Sequence, residues 1–187
     1  MGRSRLAFIG LAAAIVVVGI VIAVVTLVGG GEDASAALAA AGCTDQSYPA
    51  QGREHVVEPK EDFAYNSFPP TSGPHHPQYA IWNQYDRPVQ QLRLIHNLEH
   101  GGIVVQYGKD VPQTTIDQVE AWYQSDPTAI VVAPLAGNAL PDKIALTAWT
   151  QLAVCPGFDE KAFDAFRDAN IFNGPERFPE NRLEPGM

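Results

Sequence analysis

The sequence has no run of basic residues, and its Lys and Arg do not alternate with aromatics. Its 12 Lys and Arg are outnumbered by 21 Asp and Glu, giving a formal net charge of −9. That balance argues against nucleic acid and anionic lipid headgroups as partners. No internal repeat is present. Cysteine and methionine are scarce, with two of each.

Charge and proline are missing from residues 6–28. As a helix this stretch is roughly 34 Å long at about 1.5 Å per residue, enough to cross a hydrocarbon core of about 30 Å. Arg3 and Arg5 precede it, and Glu32 and Asp33 follow it. The asymmetry predicts a cytoplasmic stub at residues 1–5, a transmembrane helix at 6–28, a linker at 29–42 and an extracytoplasmic domain at 43–187 in the cell membrane. A cleaved signal peptide is the alternative, with Ala34-Ser35-Ala36 as a cleavage site. The apolar run exceeds the roughly 7–15 residues of a signal core, which favours a retained anchor. Ala40-Ala41-Gly42-Cys43 loosely resembles a lipobox, but its cysteine lies far beyond the apolar run.

Both cysteines, Cys43 and Cys155, fall on the exported side, where a disulfide is the default. Such a bond would tie the start of the domain to a point near its end, worth about 4–5 kcal/mol in the chain-entropy model. Metal ligation by a single cysteine is the competing role.

Beyond the linker, residues 54–58 read as a short strand stopped by Pro59. Residues 63–77 read as a loop, because Pro69, Pro70, Pro74 and Pro77 remove backbone donors. Residues 92–95 and 103–107 read as strands joined by a histidine-bearing connection. Residues 112–125 place Ile116, Val119, Trp122 and Tyr123 at helical spacing. Strands are predicted at 129–133 and 144–150, and Asp159 caps a last helix to about Ala169. The tail at 173–187 is rich in proline and charge. The sum is an α+β domain with a mainly antiparallel sheet and two helices.

The chain has five histidines, and His75, His76, His96 and His100 lie close together in sequence. His96-x-x-Glu99-His100 matches a zinc-protease pattern in which the glutamate is the base. That chemistry needs a longer helix and a third ligand, for which only Glu160 or Glu176 is on offer, neither within a motif. No catalytic residue is assigned, and the reading leans away from an enzyme. A binding site fits better. His96 and His100 supply two nitrogens, Gly101 and Gly102 permit close backbone approach, and His75 or His76 comes from the proline-rich loop. Glu99 is then either a ligand or an acceptor that orients a histidine. Three histidines and water suit zinc, whereas Met187 as a thioether ligand would favour copper. The plain alternatives are a terminal Met187 with no role and a structural or partner-binding domain whose histidines form a hydrogen-bonded loop clamp. No protein partner has a signature here.

With Tyr65-Asn66-Ser67-Phe68-Pro69-Pro70-Thr71-Ser72-Gly73-Pro74-His75 and His96-Asn97-Leu98-Glu99-His100-Gly101-Gly102 together, the chain resembles the uncharacterised family called domain of unknown function 3105. That family is found largely in membrane-anchored or exported bacterial proteins. The resemblance covers roughly residues 43–179, and Thr147-Ala148-Trp149 followed by Cys155 fits the same pattern. It implies His75 rather than His76 as the motif histidine, and it points away from any peptidase fold.

Overall fold

The computed structural model describes residues 33–187, and the apolar run after the histidine motif forms the middle of its sheet. Ile103–Tyr107 (β2) lies parallel to Ile130–Pro134 (β3). Ile103, Val105, Ile130 and Val132 join one apolar cluster, while Val104 and Val131 join another. Side chains alternate across a strand, so strands covered on both faces read as continuous apolar runs. Ile144–Ala148 (β4) pairs antiparallel with β2 and with Gln151–Cys155 (β5), and Thr44–Ser47 (β1) pairs antiparallel with β5. The order β1-β5-β4-β2-β3 is antiparallel except between β2 and β3. That one parallel pair requires a crossover, which Gln113–Ser125 supplies.

Four helices are present among the described residues: α1 (residues 33–40), α2 (Gln91–Glu99), α3 (Gln113–Ser125) and α4 (Glu160–Asn170). Leu38 of α1, Val119, Trp122 and Tyr123 of α3, and Phe163 and Phe166 of α4 pack on one face of the sheet. Leu94 and Leu98 of α2 cover the other, together with Trp82 and Leu183. Asp159 caps α4, its carboxylate accepting from the Ala162 N–H at 3.0 Å. The disulfide Cys43–Cys155 closes a separation of 112 residues.

The structure corrects several expectations. Residues 92–95 are not a strand: they belong to α2, because Leu94, Ile95 and Leu98 recur at helical spacing and face inward. The histidine motif is therefore the end of a helix rather than a connection. Residues 54–58 form no strand but a single parallel bridge, His55 to His75. Two residues beyond His75, Pro77 lacks the N–H that the next rung would need, so the bridge does not continue past it. The stretch 144–150 ends as β4 at Ala148, Trp149 and Thr150 make the turn, and β5 follows. The sheet thus has two strands, β1 and β5, that the apolar pattern did not reveal, and helices α1 and α2 bring the expected two to four. The compact unit spans Ala34–Met187, so Leu38, ahead of Cys43, belongs to its core. Residues 6–28 lie outside the described residues, among which no helix is long and apolar enough to cross a membrane.

Candidate metal centre

The end of α2 is built by its two glycines. The Gly101 N–H donates to Leu98 O at 2.9 Å and the Gly102 N–H to Asn97 O at 3.0 Å. This paired closure needs a left-handed residue, and Gly101 has φ +88°. A Cβ on Gly102 would collide with the Trp82 ring. Between the histidines, Leu98 enters the core. Asn97 clamps Ala80, accepting from its N–H at 2.9 Å and donating to its carbonyl at 2.8 Å. Residues three and four apart on a helix share a face, so His96 and Glu99 project together.

The proline-rich loop faces that helix, and residues 69–75 are all buried. Buried backbone must be satisfied, and here it is. The Thr71 N–H donates to Ser67 Oγ at 3.1 Å, the Thr150 N–H to Thr71 O at 3.1 Å, and the Tyr65 hydroxyl to Pro74 O. The His75 N–H donates to Glu54 O at 2.9 Å and the Val56 N–H to His75 O at 2.7 Å. This bridge brings His55 beside His75, their rings 5.0 Å apart.

The outcome is a cluster of His55, His75, His96 and Glu99, each offering one ligand atom, all within 4.8 Å of one another. His75 and Glu99 are fully buried, and His55 is 45% exposed. Two backbone carbonyls set the tautomers. His75 Nδ1 lies 2.8 Å from Gly73 O and His96 Nδ1 lies 2.7 Å from His76 O. A carbonyl only accepts, so both Nδ1 atoms carry hydrogen and both Nε2 atoms are left for a ligand. His75 Nε2 is 3.0 Å from Glu99 Oε2. His55 Nε2 lies 3.5 Å from the same oxygen, and Arg53 Nε 3.9 Å from the other.

Burial lowers the His96 pKa to about 4, with the neighbouring histidines pushing the same way against its bond to His76 O. Burial would raise the Glu99 carboxyl, but the hydrogen bond and charge of His75, with a further hydrogen bond from His55, bring it below the ordinary value. At neutral pH the site therefore presents a neutral His96 and an anionic Glu99. Donors around a tetrahedral ion with bonds of about 2.0–2.2 Å stand about 3.3 Å apart, so this set is slightly more open than a closed coordination shell. Imidazole nitrogens with one carboxylate suit zinc and copper.

Of the residues singled out from sequence, His75, His96 and Glu99 meet in the cluster. His100 stands next to it, its ring 4.6 Å from that of His96, with Nδ1 3.3 Å from Glu176 O. The side chain of His76 turns away and accepts from the Gln78 N–H at 3.0 Å; only its carbonyl serves the site. Met187 lines a neighbouring cleft, and its carbonyl accepts from the Trp82 N–H at 3.1 Å. Glu176 lines the same cleft, whereas Glu160 borders a different cavity with Trp122 and Phe158. The sequence marks His55 only as part of a short strand. Nothing in its spacing marks it, because its place depends on backbone pairing with His75.

Residues 55–182 match the family model described as Protein of unknown function (DUF3105). No curated protein and no solved structure matches the chain.

Proposed function

Because the chain belongs to the DUF3105 family and its two motifs meet in one cluster of three histidines and a carboxylate, we propose that it is a membrane-anchored protein whose extracytoplasmic domain binds zinc or copper. The observation that carries this reading is the convergence of four ligand atoms within 4.8 Å, with the Nδ1 atoms of His75 and His96 both held by backbone carbonyls. Metal-binding imidazoles are commonly oriented in this way by a carbonyl on the second nitrogen. The membrane part of the reading rests on the uncharged run at 6–28 and on Arg3 and Arg5 ahead of it.

The chemistry is that of binding. In the protease pattern both histidines of the motif would hold the ion and leave the glutamate free as base. Here Glu99 sits among the cluster's donors, and the further histidines come from His55 and His75 rather than from His100.

The test is metal analysis of the full chain, purified in detergent without a histidine tag. Stoichiometric zinc or copper, lost in His75→Ala/His96→Ala, is the expected result. A metal-free chain whose melting temperature is unmoved by either ion overturns the reading. A second reading is favoured by the bonds from His75, His96 and His100 to the carbonyls of Gly73, His76 and Glu176. These make a loop clamp that works without an ion. On that reading histidine variants lower stability while chelators change nothing.

A further inference from the structure

Three of the cluster's four donors, those of His75, His96 and Glu99, belong to buried residues. His55 is the exception, at 45% exposure. Its ring stacks on that of His96 at 4.8 Å and meets that of His75 at 5.0 Å. It therefore covers the buried donors from the solvent side. His55 and His96 also line a cleft of about 510 Å³ that opens beside the cluster. An ion arriving by that route meets His55 first, and a hydrated ion passes to the buried donors only if His55 moves.

The donors differ in what holds them. His75 and His96 are tied through Nδ1 to backbone carbonyls, and Glu99 belongs to α2. Among the described residues the His55 ring has a polar partner only in Glu99, with Nε2 3.5 Å from Oε2. Its backbone is joined to the His75 loop by a single bridge. Beyond Val56, the one hydrogen bond of residues 57–62 is local, from the Phe63 N–H to Lys60 O at 2.9 Å.

Alternate residues of an extended segment point to opposite sides. Arg53 and His55 face Glu99, while Glu54 and Val56 line a separate cavity of about 280 Å³. The segment thus lies between two spaces and has room to shift. The donors stand up to 4.8 Å apart, whereas a tetrahedral ion needs about 3.3 Å. His55, the least tethered donor, is the one that can close this gap. Arg53 Nε lies 3.9 Å from Glu99 Oε1, so a guanidinium stands where an incoming cation would repel it.

We propose that the ion is cargo, loaded and unloaded through residues 53–58, which act as a strap. The strap opens to admit the ion, and His55 then closes on it as Arg53 is driven from Glu99. This inference rests on the metal reading and deepens it, since a permanently filled site needs no such element.

The test uses the full chain in detergent, metal-free and with one equivalent of zinc, or of copper(I) where that is the ion taken up. Hydrogen exchange is followed by NMR at the Val56 and His75 amides, which form the bridge. Without metal they should exchange faster than the amides of β2, and the ion should slow them at least about ten-fold. This readout needs no variant. His55→Ala should still take up the ion but release it to EDTA about ten-fold faster, without the added protection at the bridge. Arg53→Gln, which removes a competing charge at an exposed position, should tighten binding about three-fold. Ion uptake with an unprotected bridge, release that His55→Ala does not hasten, or unchanged or weaker binding in Arg53→Gln overturns the strap and leaves the metal reading standing. A chain that takes up neither ion overturns both.

Discussion

On one face of the sheet the buried residues are Phe163, Phe166, Trp122, Val119 and Leu38; beyond the other lies a layer that buries His75, His96, Asn97, Glu99 and His100. Both regions are closed to water, but different forces hold them. The first is driven by removal of apolar surface, worth about 25 cal/mol per Å², and tolerates exchange among side chains of similar volume. In the second, each buried polar group needs a partner in the right place. Asn97 holds both backbone groups of Ala80, and His75 and His96 hold the carbonyls of Gly73 and His76. The apolar face makes the domain stable, and the polar layer positions chemistry upon it.

The comparison breaks most visibly at the disulfide. Cys43→Ala/Cys155→Ala should cost about 4–5 kcal/mol by the chain-entropy estimate, measured by urea unfolding, while each folded molecule keeps its metal stoichiometry. Metal lost along with the bond would show that the two regions are not separable. Phe163→Ala, within the apolar face, should cost about 3–5 kcal/mol and likewise leave metal content per folded molecule unchanged.

A smaller effect is expected in the polar layer. Asn97→Ala strands the N–H and carbonyl of buried Ala80, at about 1–3 kcal/mol. Unlike Phe163→Ala it should also weaken metal retention during dialysis against a chelator, because it loosens α2 between His96 and Glu99. Equal retention in the two variants would remove the distinction.

A slope with pH is expected in the metal-free chain. Unfolded His96 takes up a proton near its ordinary value of 6.5, whereas the folded one does so only at about 4. Between these values the unfolded state binds more protons, so stability falls as pH falls through that window and is fully present above it. Urea midpoints from pH 7 to 4 should show this decline, and His96→Gln should flatten it.

The elements with a strong period could be read from sequence. Ile116, Val119, Trp122 and Tyr123 mark α3, Asp159 marks the start of α4, and Cys43 and Cys155 mark the bond. Residues 92–95 of α2 predict a strand from sequence because Leu92, Leu94 and Ile95 in so short a stretch also fit alternation. The helix-stop glycine at 101 was the signal for the other choice. His75, His96 and Glu99 stood out through their motifs, whereas His55 did not, since pairing between distant backbones leaves no local pattern. His100 looked equivalent to His96 by spacing. Its ring instead turns to Glu176 and Phe178, in a tail whose docking depends on tertiary structure.

The placement of the disulfide has a mechanical consequence. Cys155 ends β5, while the opposite end of that strand adjoins Thr150, which binds the Thr71 carbonyl of the histidine loop. Five strand residues, about 13 Å from first to last at about 3.3 Å per step, separate the two attachments. A pull along the chain from the direction of residue 34 passes through Cys43 into a covalent bond and the antiparallel β1–β5 pair. The tension is taken up there, and the loops that carry His55 and His75 stay slack.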